Sequence, residues 1–383
     1  MRQRLCKLLG FKDFKEVLIS PNKENIRFTV TEADRNLYCL DWLVSLLKSK
    51  REQSPFCIIF CHTVSDVVLI LSTLLMKLGN DAYLHGTEPP PERCLLGVYY
   101  SATPDSAKER ICSSFSGSGK ARVVIASTSL SMGVDFPHVR YVIHFGPGRT
   151  LTDHLQQAGR AGRDSKQAFN IILHQGKHLD QCERSVKEVI RSKECVRKLL
   201  LHNFTDEDVS LSVQHDCCNR CHAVCKCAGE DCSVLHFDFD QTQEVTQEAT
   251  QDEREVSPED RECLKEALHE VKLSLDLRSG LTLFDASGMI THGFSDNVID
   301  SIVDNCGKIH NVNDLMQYGF ISSLHIAVTV LEVLNEVFED IVIDSSLYEL
   351  SVISKPVYKT VLDAASVCSD HDMESESSSD SDC

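Results

Sequence analysis

Short apolar runs alternate with amphipathic segments between residues 56 and 174, and this alternation most limits how the chain can fold. The runs are FCIIFCHT, LLGVYYS, ARVVIAST, VRYVIHFG and QAFNIILH. Each is a continuous apolar stretch, which is typical of a strand buried on both faces. The segments between them carry helix signals, with Ser65 and Thr103 as expected N-caps and Gly79 as an expected C-terminal stop. The alternation predicts an α/β domain whose parallel sheet is covered by helices on both faces.

The loops that follow the predicted strands contain polar residues at the places where such sheets bind ligands. They span residues 61–63, 101–103, 127–135 and 145–149. Each loop taken singly has an alternative interpretation as an ordinary polar connection. Together they predict a ligand site along the carboxyl edge of the sheet.

The stretch HLQQAGRAGRD at residues 154–164 spaces Gln156, Arg160 and Arg163 as i, i+4 and i+7. If the stretch is helical, these three side chains share one face. Two guanidiniums beside a Gln, in a backbone that contains Gly159 and Gly162, are suited to bind a polyphosphate. A solvated basic helix end is the alternative.

The sequence contains no fitting phosphate-binding loop. The GSGK stretch at residues 117–120 has Ser114 in place of the first glycine and Ala121 in place of the hydroxyl residue, and it lies between a predicted helix and a predicted strand. The DED stretch at 206–208 follows no apolar strand, so an acidic box for Mg²⁺ is also lacking. We therefore expect that this chain does not hold Mg-nucleotide by itself.

Cysteines are concentrated between residues 182 and 232, where eight of the eighteen lie. A long chain whose start carries basic residues in place of an apolar signal does not fit a secreted disulfide framework, so the cluster favours a metal. Cys218-x-x-Cys221 has the spacing of a zinc knuckle, and two further thiolates would close a tetrahedral structural site. Reactive, metal-free cysteines are the alternative.

Charge divides the chain into two parts. Residues 1–204 contain 29 Lys and Arg against 20 Asp and Glu, whereas the later residues contain 10 against 37. The net charge of −18 therefore conceals a mildly basic first half, which is compatible with binding nucleic acid. No apolar run reaches the length that spans a bilayer, so we expect no membrane contact and a location in the nucleus or cytoplasm.

Residues 127–164, STSLSMGVDFPHVRYVIHFGPGRTLTDHLQQAGRAGRD, resemble motifs V and VI of superfamily 2 helicases, most closely those of the RecQ family. The IIFC run with YYSATPDSAKERI resembles the motif IV region of that family, and SPNKENIRF resembles the link between its two motor lobes. The likeness covers residues 1–230. DEAD-box RNA helicases lack the QxxGRAGRD form of motif VI, and no cysteine cluster follows it in them.

The resemblance implies that Gln156, Arg160 and Arg163 face ATP, with Arg163 as an arginine finger. Gly133 and Asp135 of motif V would contribute to the nucleotide site and couple it to DNA. It further implies contacts with the DNA phosphate backbone, which carry no sequence information. The residues making those contacts would be His62, Thr63, Ser101 and Thr128.

The same resemblance implies a zinc module. RecQ proteins take one zinc ligand from a helix similar to CVRKLLLHNF at residues 195–204 and three from the following loop. The implied ligands are Cys195, Cys218, Cys221 and Cys225. Because Cys225 lengthens the usual spacing by one residue, the fourth ligand stays open among Cys225, Cys217, Cys227, His215 and His222.

The resemblance also implies how the chain is divided. The expected segments are a remnant of the first lobe and interlobe link at 1–32, a RecA-like second lobe at 33–178, a zinc module at 179–232, an acidic linker at 233–258, a helical region at 259–345 and an acidic disordered tail at 346–383.

A complete relative would be an ATP-dependent 3′ to 5′ DNA helicase acting in repair and recombination. The chain would be its C-terminal half-motor, a truncated form or the partner of a first-lobe chain, with structural zinc and with ATP and Mg²⁺ only where a first lobe is supplied. We expect no ATPase activity from it alone. The alternative is a non-catalytic zinc- and DNA-binding interaction protein that binds protein partners through its acidic C-terminal region.

Overall fold

The computed structural model describes residues 21–34, 37–86, 90–101, 103–127, 136–204, 214–225, 237–240, 253–278, 294–318 and 324–341, with residues 130, 209, 211, 321 and 343. The strands are β1 Ile26–Glu32, β2 Phe56–Cys61, β3 Leu96–Tyr99, β4 Val123–Ala126, β5 Val139–Phe145 and β6 Ala168–His174. The helices of the first 225 residues are α1 Asp41–Lys50, α2 Val64–Leu78, α3 Pro90–Arg93, α4 Asp105–Phe115, α5 Leu151–Ala158, α6 Gly176–Asp180, α7 Arg184–Arg191, α8 Val196–Leu201, α9 Gln214–Cys217 and α10 Asn219–Ala223. The later helices are α11 Pro258–Arg278, α12 Asp296–Asn305, α13 Val312–Tyr318 and α14 Leu324–Phe338. Short 3-10 turns lie at Tyr38–Leu40, Arg51–Gln53, Gly79–Ala82, Asp238–Asp240 and Cys306–Lys308.

The six strands form one parallel sheet in the order β1-β6-β5-β2-β4-β3. Alternate residues of β2 enter opposite cores. Cys57 and Ile59 pack with α1 and α2 on one face, and Ile58 and Phe60 pack with α4 and α5 on the other. The predicted α/β class, a parallel sheet covered by helices on both faces, is confirmed.

The sheet extends further toward the start of the chain than expected. Strand β1 pairs with β6 along its whole length, from Ile26 beside Ala168 to Glu32 beside His174. The resemblance of SPNKENIRF to an interlobe link assigns these residues to that link, and IRFTVTE lacks the continuous apolar run of the other strands. The lobe therefore includes β1 and begins before residue 33.

Helix ends also differ in detail from the sequence expectations. Helix α2 begins after Thr63, whose hydroxyl and the Asp66 carboxylate form a capping box, so Ser65 is not the N-cap. The N-cap of α4 is Pro104, not the expected Thr103. The segment 178–204, read as continuously helical, contains α7 and α8 as separate short helices. This break places Cys195 at the start of α8.

The described part of the acidic second half contains a helical unit and a segment docked on the lobe. Helices α11, α12, α13 and α14 share a buried core that includes Leu268, Ile302 and Leu331. Residues 237–240, assigned to a linker from sequence, instead place Phe239 in the core of the lobe. None of the helices in the described ranges is long and apolar enough to cross a membrane.

Candidate functional site

The arginines of HLQQAGRAGRD lie in turns beyond the end of α5. The helix ends at Ala158 with Gly159 as its C-cap, and Gly162 has a φ of +58° that interrupts any helical continuation. The expectation that Gln156, Arg160 and Arg163 share one helical face is therefore wrong. Gln156 alone is on the helix, and the two arginines are positioned by turn geometry.

These turns lie beside the amino edge of the sheet. The Gly162 amide donates to the carbonyl oxygen of Val139 at the start of β5, over 3.0 Å. Arg160 is buried, with 5% of its surface exposed, whereas Arg163 and Gln156 are exposed. One cation of the pair is thus built into the fold, and the other is accessible to a ligand.

Residues 22–25, which precede β1, hold these turns by hydrogen bonds; we call them the clasp segment. The Lys23 ammonium donates to the Gly159 carbonyl oxygen over 2.8 Å. The Asn25 side-chain amide donates to the carbonyl oxygens of Gly162 and Lys166, each over 2.8 Å. Burial, and then the positive charge of Arg163, lower the pKa of Lys23. Lys23 and Arg163 therefore lie close enough to repel each other.

Asp164 closes the turn from the other side. Its carboxylate accepts two hydrogen bonds from the guanidinium of Arg140 in β5, one of them over 2.8 Å, and lies 3.3 Å from His138 Nδ1. The hydrogen bonds from Arg140, followed by that from His138, hold the pKa of Asp164 well below its usual range. The carboxylate is thus ionised at neutral pH and ties the turn to the sheet.

The residues implied to contact DNA lie at the opposite edge of the sheet. His62 and Thr63 follow the carboxyl end of β2, and Ser101 follows that of β3. Thr63 and Ser101 are exposed, and His62 is half-buried. The structure therefore brings these three positions to one edge, away from the arginine turns at the amino edge. Thr128, Gly133 and Asp135 lie outside the described residues.

The Thr63 hydroxyl has a local partner in Asp66. It donates to Asp66 Oδ2 over 2.8 Å and accepts from the Asp66 amide over 3.1 Å. Asp66 also accepts from Lys177 Nζ over 3.0 Å and lies 3.7 Å from His178 Nε2. Burial alone would raise the pKa of Asp66, but the nearby His178 ring and the hydrogen bonds from Thr63 and Lys177 outweigh it and hold that pKa well below its usual range.

His62 is fixed by its contacts with the β5 loop. Its Nε2 contacts the carbonyl oxygen of Pro147, and its ring lies 5.4 Å from the ring of His178. A Cβ on Gly146 would lie 3.0 Å from atoms of both histidine rings, and Gly146 has a φ of +89°, so this position requires glycine. Burial lowers the pKa of His62, which favours a neutral imidazole at the carboxyl edge.

A buried polar network lies beneath α5. His154 Nε2 lies 3.1 Å from Asn170 Oδ1, and the Asn170 amide lies 3.1 Å from His144 Nδ1. Burial lowers the pKa of His154 to about 4 and that of His144 well below its usual value. Both imidazoles are therefore neutral and act as hydrogen-bonding core residues that orient the helix carrying Gln156.

Four cysteines form one compact group beside β1, and we call them the cysteine group. They are Cys195, Cys217, Cys218 and Cys221. The four Sγ atoms lie within 4.8 Å of one another, and those of Cys195 and Cys217 are 3.5 Å apart. The structure brings together the predicted Cys195, Cys218 and Cys221, but the fourth member is Cys217. Cys225 is disulfide-bonded instead. The fourth cysteine of the group is therefore Cys217, one of the alternatives left open by the spacing, and not Cys225.

The cysteine group fits a tetrahedral thiolate site. Zn–S bonds of about 2.3 Å place tetrahedral sulfurs roughly 3.8 Å apart, a small adjustment from the observed spacing. Hydrogen bonds from Cys195 and Cys217 lower the pKa of Cys218, and burial raises that of Cys221 to about 12. A cation held here would bind the four sulfurs as thiolates and release their protons.

Residues 195–225 carry the cysteine group, and we call them the cysteine-bearing module. Two buried arginines join this module to the lobe, and the sequence patterns did not identify them. Arg197 donates to Asn22 Oδ1 over 2.7 Å, to the Lys23 carbonyl oxygen over 2.9 Å and to the Ile26 carbonyl oxygen. Lys23 and Asn25 were likewise missed. The only sequence signal was the polar NKEN run directly before β1.

The second fastener is Arg27 of β1, which is fully buried. Its guanidinium donates to the His215 carbonyl oxygen over 2.7 Å and to both carboxylate oxygens of Asp240. It also lies 4.0 Å from the centroid of the Phe237 ring. Arg27 thus joins the sheet edge, the cysteine-bearing module and residues 237–240.

Residues 39–165 match the family described as helicase conserved C-terminal domain. A protein of Acanthamoeba polyphaga mimivirus provisionally named ATP-dependent RNA helicase R290 is 23% identical over 58% of this chain and 40% of its own length. Human ATP-dependent DNA helicase Q4 is 31% identical over 38% of this chain and 12% of its own. The ATP-dependent DNA helicase RecQ of Haemophilus influenzae is 25% identical over 45% of this chain and 25% of its own.

The chain spans less than half the length of each of these relatives. Its matched part includes β2 to β5 and the arginine turns. Residues 39–165 are therefore similar to the conserved C-terminal domain of helicases, and RecQ-like helicases are among the relatives of this chain.

Proposed function

We propose that the chain is the second motor lobe and zinc module of an ATP-dependent 3′ to 5′ DNA helicase acting in repair and recombination in the nucleus. The observation that carries this proposal is the exposed Arg163 on a turn fastened by Lys23 and Asn25. A guanidinium that is exposed on a fixed turn is what a nucleotide in a facing lobe requires.

In this proposal a first lobe holds ATP and Mg²⁺, because the 383 residues contain no phosphate-binding loop. Arg163 neutralises the charge that develops on the γ-phosphoryl group. Arg160 and Gln156 orient the groups around that phosphoryl group. Arginine fingers contribute roughly 10³ to 10⁵ in rate. The buried environment of Arg160 limits its movement and so lowers the cost of reorganisation.

The carboxyl edge supplies the nucleic-acid contacts of the proposal. Thr63 and Ser101 present hydroxyl groups there, and His62 presents a neutral imidazole. In this proposal the Ser101 hydroxyl donates to a phosphate oxygen, and Thr63 and His62 do so by exchanging their present partners, Asp66 and the Pro147 carbonyl oxygen. Such contacts read no bases, as a motor stepping along any strand requires. Nucleotide and nucleic acid would thus engage opposite edges of one sheet.

Zinc would be held by the four thiolates of the cysteine group. Four protein ligands leave no open position for substrate, so the ion would supply folding energy rather than catalysis. The geometry of the sulfurs and the burial of Cys217 and Cys218 support this role.

The test is DNA-stimulated ATP turnover by the 383-residue chain alone and joined to the nucleotide-binding lobe of a RecQ-like helicase. We expect none from the chain alone, turnover from the joined protein, and a loss of about 10³-fold in Arg163→Ala. Exposed Arg191→Ala is the matched control and should retain turnover. Turnover by the chain alone that Arg163→Ala abolishes would contradict the division of the site between two lobes.

The second candidate is a non-catalytic zinc- and DNA-binding interaction protein. The acidity of residues 205–383, with 37 Asp and Glu against 10 Lys and Arg, favours protein partners for that half. Binding of DNA and zinc without turnover in the joined protein would favour this candidate. Anisotropy with single-stranded DNA and RNA of one sequence decides the substrate class, since one relative is named for RNA and two for DNA.

A further inference from the structure

The cysteine group and the arginine turns are connected through a short chain of hydrogen bonds. Cys195 is the N-cap of α8, and Arg197 lies two residues further along that helix. The Arg197 side chain is fully buried and donates to Asn22 and Lys23 of the clasp segment. The position of α8 therefore sets the position of the clasp segment.

The clasp segment in turn holds the turns on which the arginines lie. Lys23 binds the carbonyl oxygen of Gly159, next to Arg160, and Asn25 binds that of Gly162, next to Arg163. Each arginine is thus one residue from a carbonyl that the clasp segment fixes.

Packing alone does not hold the clasp segment in place. A cavity of about 220 Å³ separates it from α5 and α8, with Phe28, Leu155 and Leu201 among its lining residues. The hydrogen bonds of Arg197, Lys23 and Asn25 fix the clasp segment across this cavity. A second link is the β-bridge between Phe28, just after the segment, and Cys218.

We propose that a metal ion in the cysteine group orders the Arg160–Arg163 turn through Arg197 and the clasp segment. Arg197, Lys23 and Asn25 are then positioning residues for the motif VI arginines. The proposal rests on the proposed zinc site and adds to it a regulatory role: metal loss releases the start of α8 and with it the turn.

The test is hydrogen exchange of the full chain with and without added zinc, read on peptides covering residues 156–167, with bound zinc measured in parallel. In the wild type, zinc should slow exchange of this stretch by about tenfold. In Arg197→Ala, zinc should still bind in equal amount but slow exchange less than about twofold. Lys198→Ala, an exposed neighbour on the same helix, should behave as the wild type.

Because Arg197 is buried, its substitution can unfold the module, and Lys23→Met provides an independent variant. It keeps the aliphatic stem and removes only the ammonium that binds Gly159. Zinc should then slow exchange of the turn less than about twofold, and Lys23→Arg should restore the effect. Peptides from β2 should be unchanged in both variants, which separates positioning from general destabilisation.

Two outcomes overturn the proposal while leaving the zinc site intact. One is zinc binding to the wild type without any change in exchange at residues 156–167. The other is an undiminished zinc effect in both Arg197→Ala and Lys23→Met. If zinc does not bind the wild type, the proposed zinc site fails as well, and the measured stoichiometry distinguishes this case.

Discussion

The Asn25 side-chain amide donates a 2.8 Å hydrogen bond to the carbonyl oxygen of Gly162, and a Cβ on Gly162 would lie 2.4 Å from the same Asn25 nitrogen. Gly162 also has a φ of +58°. The contact and the backbone conformation both require glycine, because any side chain would displace the group that holds the turn.

Gly162→Ala should therefore lower the free energy of unfolding of the lobe by about 2 kcal/mol, measured by urea denaturation. The physical reason is left-handed strain together with the loss of the Asn25 contact. Gly176→Ala is the control, because a Cβ there meets nothing within 4 Å, and it should be near neutral. Equal losses in the two variants would refute the special requirement at Gly162.

Metal binding should identify the fourth cysteine ligand. Cys217→Ser should abolish stoichiometric zinc binding, as should Cys218→Ser, because each leaves three thiolates around the ion. Cys225→Ser should retain about one zinc per chain, measured by elemental analysis after dialysis. The assignment fails if Cys225→Ser loses zinc and Cys217→Ser retains it.

Removing the metal should unfold the cysteine-bearing module while the sheet persists. Structural zinc contributes apparent binding energies of about 10 kcal/mol or more in small modules, so chelation should expose their helices to protease. Cleavage after exposed Lys198 should accelerate on chelation, and cleavage after Lys48 on α1 provides the control. Equal acceleration at both sites would show that the lobe depends on the metal as well.

The sequence predicted the features that follow from local periodicity. Five strands were identified because each is a continuous apolar run, and β1 was missed because a polar residue interrupts every apolar pair in IRFTVTE. The polar residues Arg27 and Thr29 of this strand are nevertheless buried, because they bind Asp240 more than 200 positions away, and local periodicity cannot show such a contact.

The sequence named candidate site residues but did not predict their geometry. The GRAGRD spacing identified Arg160 and Arg163, yet the helix ends before both, and one of the two is buried. Contacts that join residues more than 130 positions apart, such as Lys23 with Gly159, have no local sequence signal. The fourth cysteine differed for the same reason, because the folded approach of α9 to α8 decides it.

Acid should destabilise the lobe through the histidines beneath α5. Burial lowers the pKa of His154 to about 4, against about 6.5 unfolded, so between these values the unfolded chain binds a proton that the folded chain does not. Stability is therefore lost as the pH falls from about 6.5 to 4, by about 3 kcal/mol for this group. His154→Gln should flatten the dependence measured by urea denaturation, and exposed His202→Gln should leave it unchanged. A pH-independent wild type would contradict the neutral buried imidazole.

Asp240→Ala should destabilise the chain far more than an exposed charge substitution of the same type. Asp240 accepts from the fully buried Arg27, so its removal leaves an uncompensated guanidinium in the interior, at a cost of about 3 kcal/mol. Asp300→Ala is the matched control, because the ion pair of Asp300 with Lys265 is half exposed, and its loss should cost far less. Urea denaturation of both variants measures the difference. Equal losses would show that the Asp240 carboxylate does not compensate the buried positive charge of Arg27.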